Sequence, residues 1–430
     1  MSSFRYIDLF AGIGGFHLAL DKLGGQCVFA SEIDPKAQSV YRANYEKSSM
    51  SGPIVGDIIP LTDPVVSALV PEHDLLAAGF PCQPFSKSGF QRGINETRGT
   101  LFYNIVKVLE ERRPEFLLLE NVRNLTGPRH THTWSLIIRT LRDIGYRVSS
   151  QPTIFSPHLL PPHLGGSPQR RDRVYIFGHY VGPERAWELA VDDFHVPYLP
   201  VDGWNPDSWN LEAHLLEDDT KSGETGEYMI SSDRMLAIEM WEDFQKSVSP
   251  PNPDRRLPGF PIWEYALSAS PDTTSENPAW KNEFLRKNSE FFIQNAPAID
   301  KWRLRHPELT RLPMSYRKLE WQAGNLESIW DGALQFRPSG LRVKRPTYLP
   351  ALVAMNQTSF IGARRRNITT REAARLQGFP DWFDFGEQSA NDSYKQLGNA
   401  VSVGAVAYIL EKFLEITETS LGNLPGGLVR

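Results

Sequence analysis

The chain has 430 residues, enough for two domains with sizeable cores. Its hydrophobic content of 40% and charged content of 23% are those of an ordinary soluble protein, and a net charge of −5 gives no global reason to expect a nucleic-acid partner. With two cysteines, Cys27 and Cys82, neither a disulfide framework nor a cysteine-built zinc site is available, and no apolar run approaches membrane-spanning length.

Arg5–Phe10 reads as a strand, followed by a glycine turn and a helix over Gly15–Leu23. Gln26–Ser31 is a second strand, Pro35–Tyr45 a helix, and Asp57 ends a third strand. Leu75–Ala78 is a strand, and Leu101–Arg112 a helix with Leu101, Ile105, Val108 and Leu109 at helical spacing. The strand Glu115–Leu119 is an apolar run, hence buried on both faces. Trp134–Ile144 is a helix and Arg173–Phe177 a strand. Strands alternating with helices in this way predict an α/β fold with a mostly parallel, doubly wound sheet. From about Val181 prolines become dense, periodicity fades and acids accumulate, yet most tryptophans fall between Trp187 and Trp330. This texture predicts a second, smaller and irregular domain inserted in the first. Leu397–Leu414 returns to helical patterning, and the tail after Thr419 is expected to fray.

The segment Asp8–Phe16 is strand, glycine turn and helix, which lets backbone pass close to a ligand at the first strand's carboxyl end. Glu32 ends the second strand, where a carboxylate can take both hydroxyls of a ribose, and Asp57 can accept from an adenine amino group. Each acid alone reads equally as strand-end solvation. The turn lacks the dinucleotide spacing and is short for a pyrophosphate, so S-adenosylmethionine, with ribose and adenine but no phosphate, fits better. Cys82 sits between two prolines just after Leu75–Ala78, either as a small buried hydrophobe or as a rigidly held nucleophile. Glu120 ends a buried strand, either as a cap or as a desolvated carboxyl with a raised pKa suited to proton donation. Arg171 and Arg173 alternate along an incoming strand and point the same way, unless they form a solvated basic turn.

Together these residues closely resemble the DNA (cytosine-5)-methyltransferases of bacterial restriction-modification systems. The resemblance covers about Phe4–Gly178 and Arg364–Leu414, with motifs in the family's order. They are Asp8-Leu9-Phe10-Ala11-Gly12-Ile13-Gly14-Gly15, Gly79-Phe80-Pro81-Cys82-Gln83-Pro84-Phe85-Ser86, Glu120-Asn121-Val122, Gln169-Arg170-Arg171-Asp172-Arg173, the stretch Arg371–Pro380, and Gln396-Leu397-Gly398-Asn399-Ala400-Val401. The resemblance implies a Rossmann-like S-adenosylmethionine-dependent fold, with S-adenosylhomocysteine as product and no metal. Cys82 is then the thiolate that adds to carbon 6 of cytosine, Glu120 bonds N3 and the exocyclic amine, Arg173 holds O2, and Arg171 supports the Cys82 loop. Phe10, Gly12, Gly14, Gly15, Glu32, Ile33, Asp57, Ile58, Pro81, Asn399 and Val401 are the implied cofactor residues. Ile33 stands where many relatives carry Trp, so adenine packing is expected to be aliphatic, with Phe10 on the other side.

The base must be flipped from the duplex, and Ser86–Gly99 is polar and glycine-rich enough to close over it. By resemblance Ser86, Ser88 and Arg98 face DNA there. From Gly332 to Thr370 there is no acid, and the basic cluster Arg364, Arg365 and Arg366 in that window is suited to phosphates. Residues 1–182 and 388–430 are expected to form the catalytic domain and 183–387 the target-recognition domain. The partners expected are duplex DNA, bound by a monomer, and a cognate restriction endonuclease, in the bacterial cytoplasm. Two other functions compete. A tRNA-methylating relative usually has a smaller variable region, and a silent DNA-binding homologue loses the thiol, the acid or the glycine turn.

Overall fold

The computed structural model describes residues 4–46, 52–62, 69–81, 101–188, 194–218, 228–250, 252–353 and 358–417. Cys82, Ser86, Ser88, Arg98 and the tail after Thr419 lie outside them. The strands are β1 (Phe4–Leu9), β2 (Gly25–Ser31), β3 (Ile54–Val55), β4 (Leu75–Gly79), β5 (Phe116–Val122), β6 (Tyr146–Val148), β7 (Thr153–Phe155), β8 (Gln169–Arg170), β9 (Arg173–Tyr180), β10 (Ile262–Trp263), β11 (Lys318–Gln322), β12 (Ala333–Arg337), β13 (Gly340–Lys344), β14 (Leu349–Pro350), β15 (Phe360–Ile361) and β16 (Arg366–Asn367). The α-helices are α1 (Gly15–Lys22), α2 (Pro35–Tyr45), α3 (Leu101–Arg112), α4 (Thr131–Asp143), α5 (Pro183–Glu188), α6 (Leu211–His214), α7 (Ser232–Ser247), α8 (Ala279–Arg305), α9 (Thr370–Gln377), α10 (Ala390–Asn399) and α11 (Val403–Ile416).

Two compact units divide the chain, one of residues 1–209, 351–354 and 373–430, the other of 210–350 and 355–372. In the first unit β3-β2-β1-β4-β5 are parallel in that spatial order. β9 runs antiparallel to β5, and β6 and β7 each pair antiparallel with β9. The apolar run Phe116–Leu119 is fully buried because both faces of β5 are covered. Leu117 and Leu119 join a core with Ile105 and Leu109 of α3 and Ile137 and Leu141 of α4. On the opposite face Phe116 stacks on Phe177 at 5.4 Å, and Phe177 on Phe413 of α11 at 4.8 Å. Each such side chain contributes about 1.5–3 kcal/mol by leaving water, so the period-two alternation of β9 is held from both sides.

Strand order reverses at β1, with β2 on one side and β4 on the other. Such a switch point leaves a crevice at the carboxyl ends of the two central strands, where open α/β sheets bind ligands. The glycine turn follows β1 there, and Phe80-Pro81 follows β4.

The helix expected over Leu397–Leu414 is broken. α10 ends at Asn399, Ala400 is extended (ψ 149°), and α11 begins at Val403. Two contacts account for the break. Arg171 donates from Nη2 to the carbonyls of Gly398 (3.0 Å) and Ala400 (2.8 Å). Val401 packs into the space that Gly15 leaves open, where a Cβ would lie 2.8 Å from Val401 Cγ2.

The division between units falls at 209/210 and 372/373. Phe194 meets Phe177 edge-on, and Trp204 and Trp209 both donate to the His158 carbonyl, which holds this stretch to the first unit. Phe383 packs beside Tyr45, and Asn44 and Asp384 exchange two hydrogen bonds.

The second unit is built on a six-stranded sheet, β10-β11-β13-β12-β15-β16, whose strands are only two to five residues long. Runs that short leave little alternation to read in sequence. Trp241 and Phe244 of α7 and Trp302 of α8 form the aromatic centre of its core. Arg366, expected at the DNA surface, is 1% exposed here. Its guanidinium makes a two-pronged pair with Glu372 at 2.9 and 2.8 Å, and Glu372 also accepts from the Thr369 and Glu217 amides. Removing one partner of a buried pair strands the other charge. Arg366→Ala is therefore expected to destabilise the protein by about 3–5 kcal/mol, read as a lowered denaturant midpoint.

Candidate active site

A cavity of about 470 Å³ opens at the switch point of the first unit. Phe10, Gly12, Gly15, Glu32, Ile33, Asp57, Ile58, Pro81, Glu120, Arg171, Arg173, Asn399 and Val401, all expected from the sequence, line it together. Gly14 is the exception. It lies behind the turn at φ 88°, where a Cβ would come 2.3 Å from the Tyr45 ring, and its carbonyl accepts from the Tyr45 hydroxyl at 3.0 Å.

One end of the cavity carries a fixed carboxylate and an apolar wall. Glu32 accepts from the Gly12 amide through Oε2 and from the Asp34 amide through Oε1, each at 2.8 Å. Those bonds fix the carboxylate and leave further lone pairs on both oxygens. Ile33 beside it is 66% exposed, a large apolar surface on the cavity wall. Asp57 accepts from the Ile59 amide, and Phe10 holds φ 60°, a strained value for a residue with a Cβ.

The other end carries charge. Glu120 stands in register with Gly79 of β4 and Tyr175 of β9, so it adjoins the first residue of the Gly79–Ser86 motif. Its Oε1 lies 3.0 Å from Arg173 Nε, yet among the described residues that oxygen has no aligned hydrogen bond. Burial raises the Glu120 pKa against the opposing pull of Arg173 and Arg171.

Arg171 is buried too, and burial together with the like charge of Arg173 pushes its pKa down to about 9. Besides the two carbonyls of the helix break it donates from Nη1 to the Leu352 carbonyl at 2.9 Å. Sequence reading missed Asn121, whose Nδ2 donates to the Phe80 carbonyl at 2.9 Å and so anchors the strand end that leads into Cys82. Its place next to Glu120, on the other side of the strand, was the available signal.

The profile of the C-5 cytosine-specific DNA methylases matches residues 4–415. The chain belongs to that family. It is 40% identical to the type II methyltransferase M.AluI of Cellulosimicrobium cellulans, over 99% of this chain and 95% of the relative. It is 31% identical to M.BanI of Aneurinibacillus aneurinilyticus, over 96% of each. The DNMT2 structure from Spodoptera frugiperda superimposes with a TM-score of 0.51 at 19% identity, covering 96% of this chain and 99% of that one, which shows a shared fold. The protein is therefore an enzyme, a cytosine-5 DNA methylase.

The basic window of this methylase is less free than its sequence suggests. Arg337 and Arg342 both reach Glu320 Oε2 on β11, at 3.3 and 3.0 Å. Arg364 donates to Glu212. Arg365 is exposed, left-handed at φ 51°, with its guanidinium 4.8 Å from the Trp330 ring centre.

Proposed function

We propose that this methylase transfers the methyl group of S-adenosylmethionine to carbon 5 of a cytosine flipped out of duplex DNA at a specific sequence, by way of a covalent bond between Cys82 Sγ and carbon 6. The observation that carries the proposal is one cavity with Glu32 and bare Ile33 at one end and the under-bonded Glu120 beside Arg173 at the other. The first set suits an adenosine. Glu32 offers lone pairs to ribose hydroxyls, Ile33 and Phe10 offer apolar cover to adenine, and Asp57 accepts from its amine. When bound, S-adenosylmethionine supplies an electrophilic methyl group.

The remaining chemistry belongs to the chain. Cys82 adds to carbon 6, which makes carbon 5 nucleophilic enough to take the methyl group; a base then removes the carbon-5 proton, and the Cys82 thiolate is expelled from carbon 6. Glu120 bonds N3 and the exocyclic amine, so that negative charge does not accumulate on the ring. Arg173 meets O2 while it orients Glu120. Asn121 steadies the entry to the Cys82 segment, and Arg171 fixes the carbonyls at the helix break beside Asn399 and Val401. Flipping the base costs a few kcal/mol, recovered from contacts made outside the helix stack.

Residues 1–182 and 388–430 carry catalysis and 183–387 read the target, with Ser86, Ser88 and Arg98 near the opened stack. Arg364 and Arg366 are committed to Glu212 and Glu372, so the phosphate contact of that cluster is assigned to Arg365. The enzyme acts as a monomer in the bacterial cytoplasm. The type II relatives support a restriction endonuclease of the same specificity as its companion. DNA from a host expressing the chain is expected to contain 5-methylcytosine at one recurring sequence. Methylation at the exocyclic nitrogen, or in tRNA alone, would overturn this reading.

A further inference from the structure

The strand register places a second group of charges directly outside the Glu120–Arg173 pair. Val122, at the end of β5, is the register partner of Arg173, the first residue of β9. One residue further out on each side stand Arg123 and Asp172. Arg123 Nη1 donates to Asp172 Oδ2 at 2.6 Å, and the Tyr198 hydroxyl donates to Oδ1 at 2.9 Å. Arg170 Nε lies 3.9 Å from the same Oδ1. The acid is largely covered, with a side chain 16% exposed, whereas those of Arg123 and Arg170 are 55% and 52% exposed. One largely covered carboxylate thus bonds one exposed guanidinium and lies near a second, next in sequence to Val122 and Arg173, which line the cavity. The chain continues this character, because no acid occurs from Val122 to Arg142, and Arg129 in that stretch is exposed.

An ordinary surface ion pair does not need a tyrosine as a third partner, and here each oxygen of the carboxylate is engaged by a different side chain. The arrangement is economical as a device for aiming cations. Asp172 fixes the guanidinium groups, and the group carries a net positive charge beside the place where a nucleotide enters. We propose that Arg123 and Arg170, aimed by Asp172 and Tyr198, form a phosphate-docking rim that grips the DNA backbone next to the flipped nucleotide. Asp172 is a positioning residue in this scheme and touches no DNA. The inference rests on the proposed action on duplex DNA and adds contacts that the basic cluster at Arg364–Arg366 does not provide.

The test uses the full-length protein and a fluorescently labelled mixed-sequence duplex, with affinity measured by anisotropy across a salt series. Each phosphate contact in B-DNA contributes roughly 0.9 to the slope of log affinity against log salt. The double variant Arg123→Gln, Arg170→Gln is expected to lose about 1.8 from that slope. Its affinity for S-adenosylmethionine, read by calorimetry, should not change. Asp172→Asn separates aiming from simple charge. Removing a negative charge near DNA should tighten binding if Asp172 only contributes its charge, whereas loss of aiming should weaken it by several-fold. Tighter binding by Asp172→Asn, or an unchanged slope for the double variant, overturns the rim while wild-type DNA binding and methylation stand. A wild-type protein that neither binds nor methylates duplex DNA overturns the rim together with the proposed function.

Discussion

Cys82→Ser is expected to lose methyl transfer by roughly 10⁴-fold or more, the scale seen when the nucleophile of a covalent mechanism is removed. The substitution changes one atom. A serine hydroxyl is far less acidic than a thiol and is a poor nucleophile at neutral pH without a dedicated base. Under the proposed mechanism Glu120 and Arg173 act on the far edge of the ring and would not replace the lost addition. DNA binding should persist, since the role proposed for Cys82 is attack and not phosphate contact. Transfer of a labelled methyl group to DNA, measured beside a gel-shift assay, separates the two properties. Turnover retained at near wild-type rate would remove the covalent step and leave the cavity to a direct mechanism.

Glu120→Gln is the second large effect, with kcat falling roughly 10²- to 10⁴-fold, the usual worth of a positioned general acid. Gln keeps the volume and one acceptor but cannot supply a proton, and it leaves Arg173 without its counter-charge. The pH profile carries the diagnosis. Burial raises the Glu120 pKa, so the protonated carboxyl survives to higher pH than an ordinary glutamic acid. A step that needs that form declines as pH rises through the raised value, opposite in sign to the limb set by forming the Cys82 thiolate. The variant should keep the rising thiolate limb but lose this descending one. Stability follows the same sign: the native state holds this proton more tightly than the unfolded chain. The contribution of Glu120 is therefore fully present below its ordinary pKa and lost as pH climbs through the raised one. Near-normal rates with Gln would remove the acid from the mechanism.

Much of this site was legible because its parts are local. The turn after β1 announces itself by its glycines, Glu32 by its place at the end of a strand, and Glu120 by the four apolar residues before it. Leu101–Arg112 reads as a helix and is one, since its apolar spacing has no competing partner. What escaped was non-local. Arg337 and Arg342 look unneutralised along the chain, yet Glu320 lies across the sheet from both. Arg366 belongs by sequence to a basic cluster, but its partner Glu372 fastens it inside the second unit. The break at Ala400–Ser402 is invisible to periodicity because Val401 and Val403 sustain the apolar pattern. The cause is a guanidinium far back in the chain, and no window of sequence contains both.

That break has a consequence in time. The wall formed by Asn399 and Val401 meets the turn at Gly12–Gly15, so segments far apart in the sequence close the same chamber. A ribosome adding roughly 5–20 residues per second needs on the order of a minute to travel from one to the other. Until Val401 has left the exit tunnel, the nascent chain has its glycine turn and its Glu32 but lacks this wall of the cavity. A product terminated before Asn399 is then expected to be unable to complete the chamber.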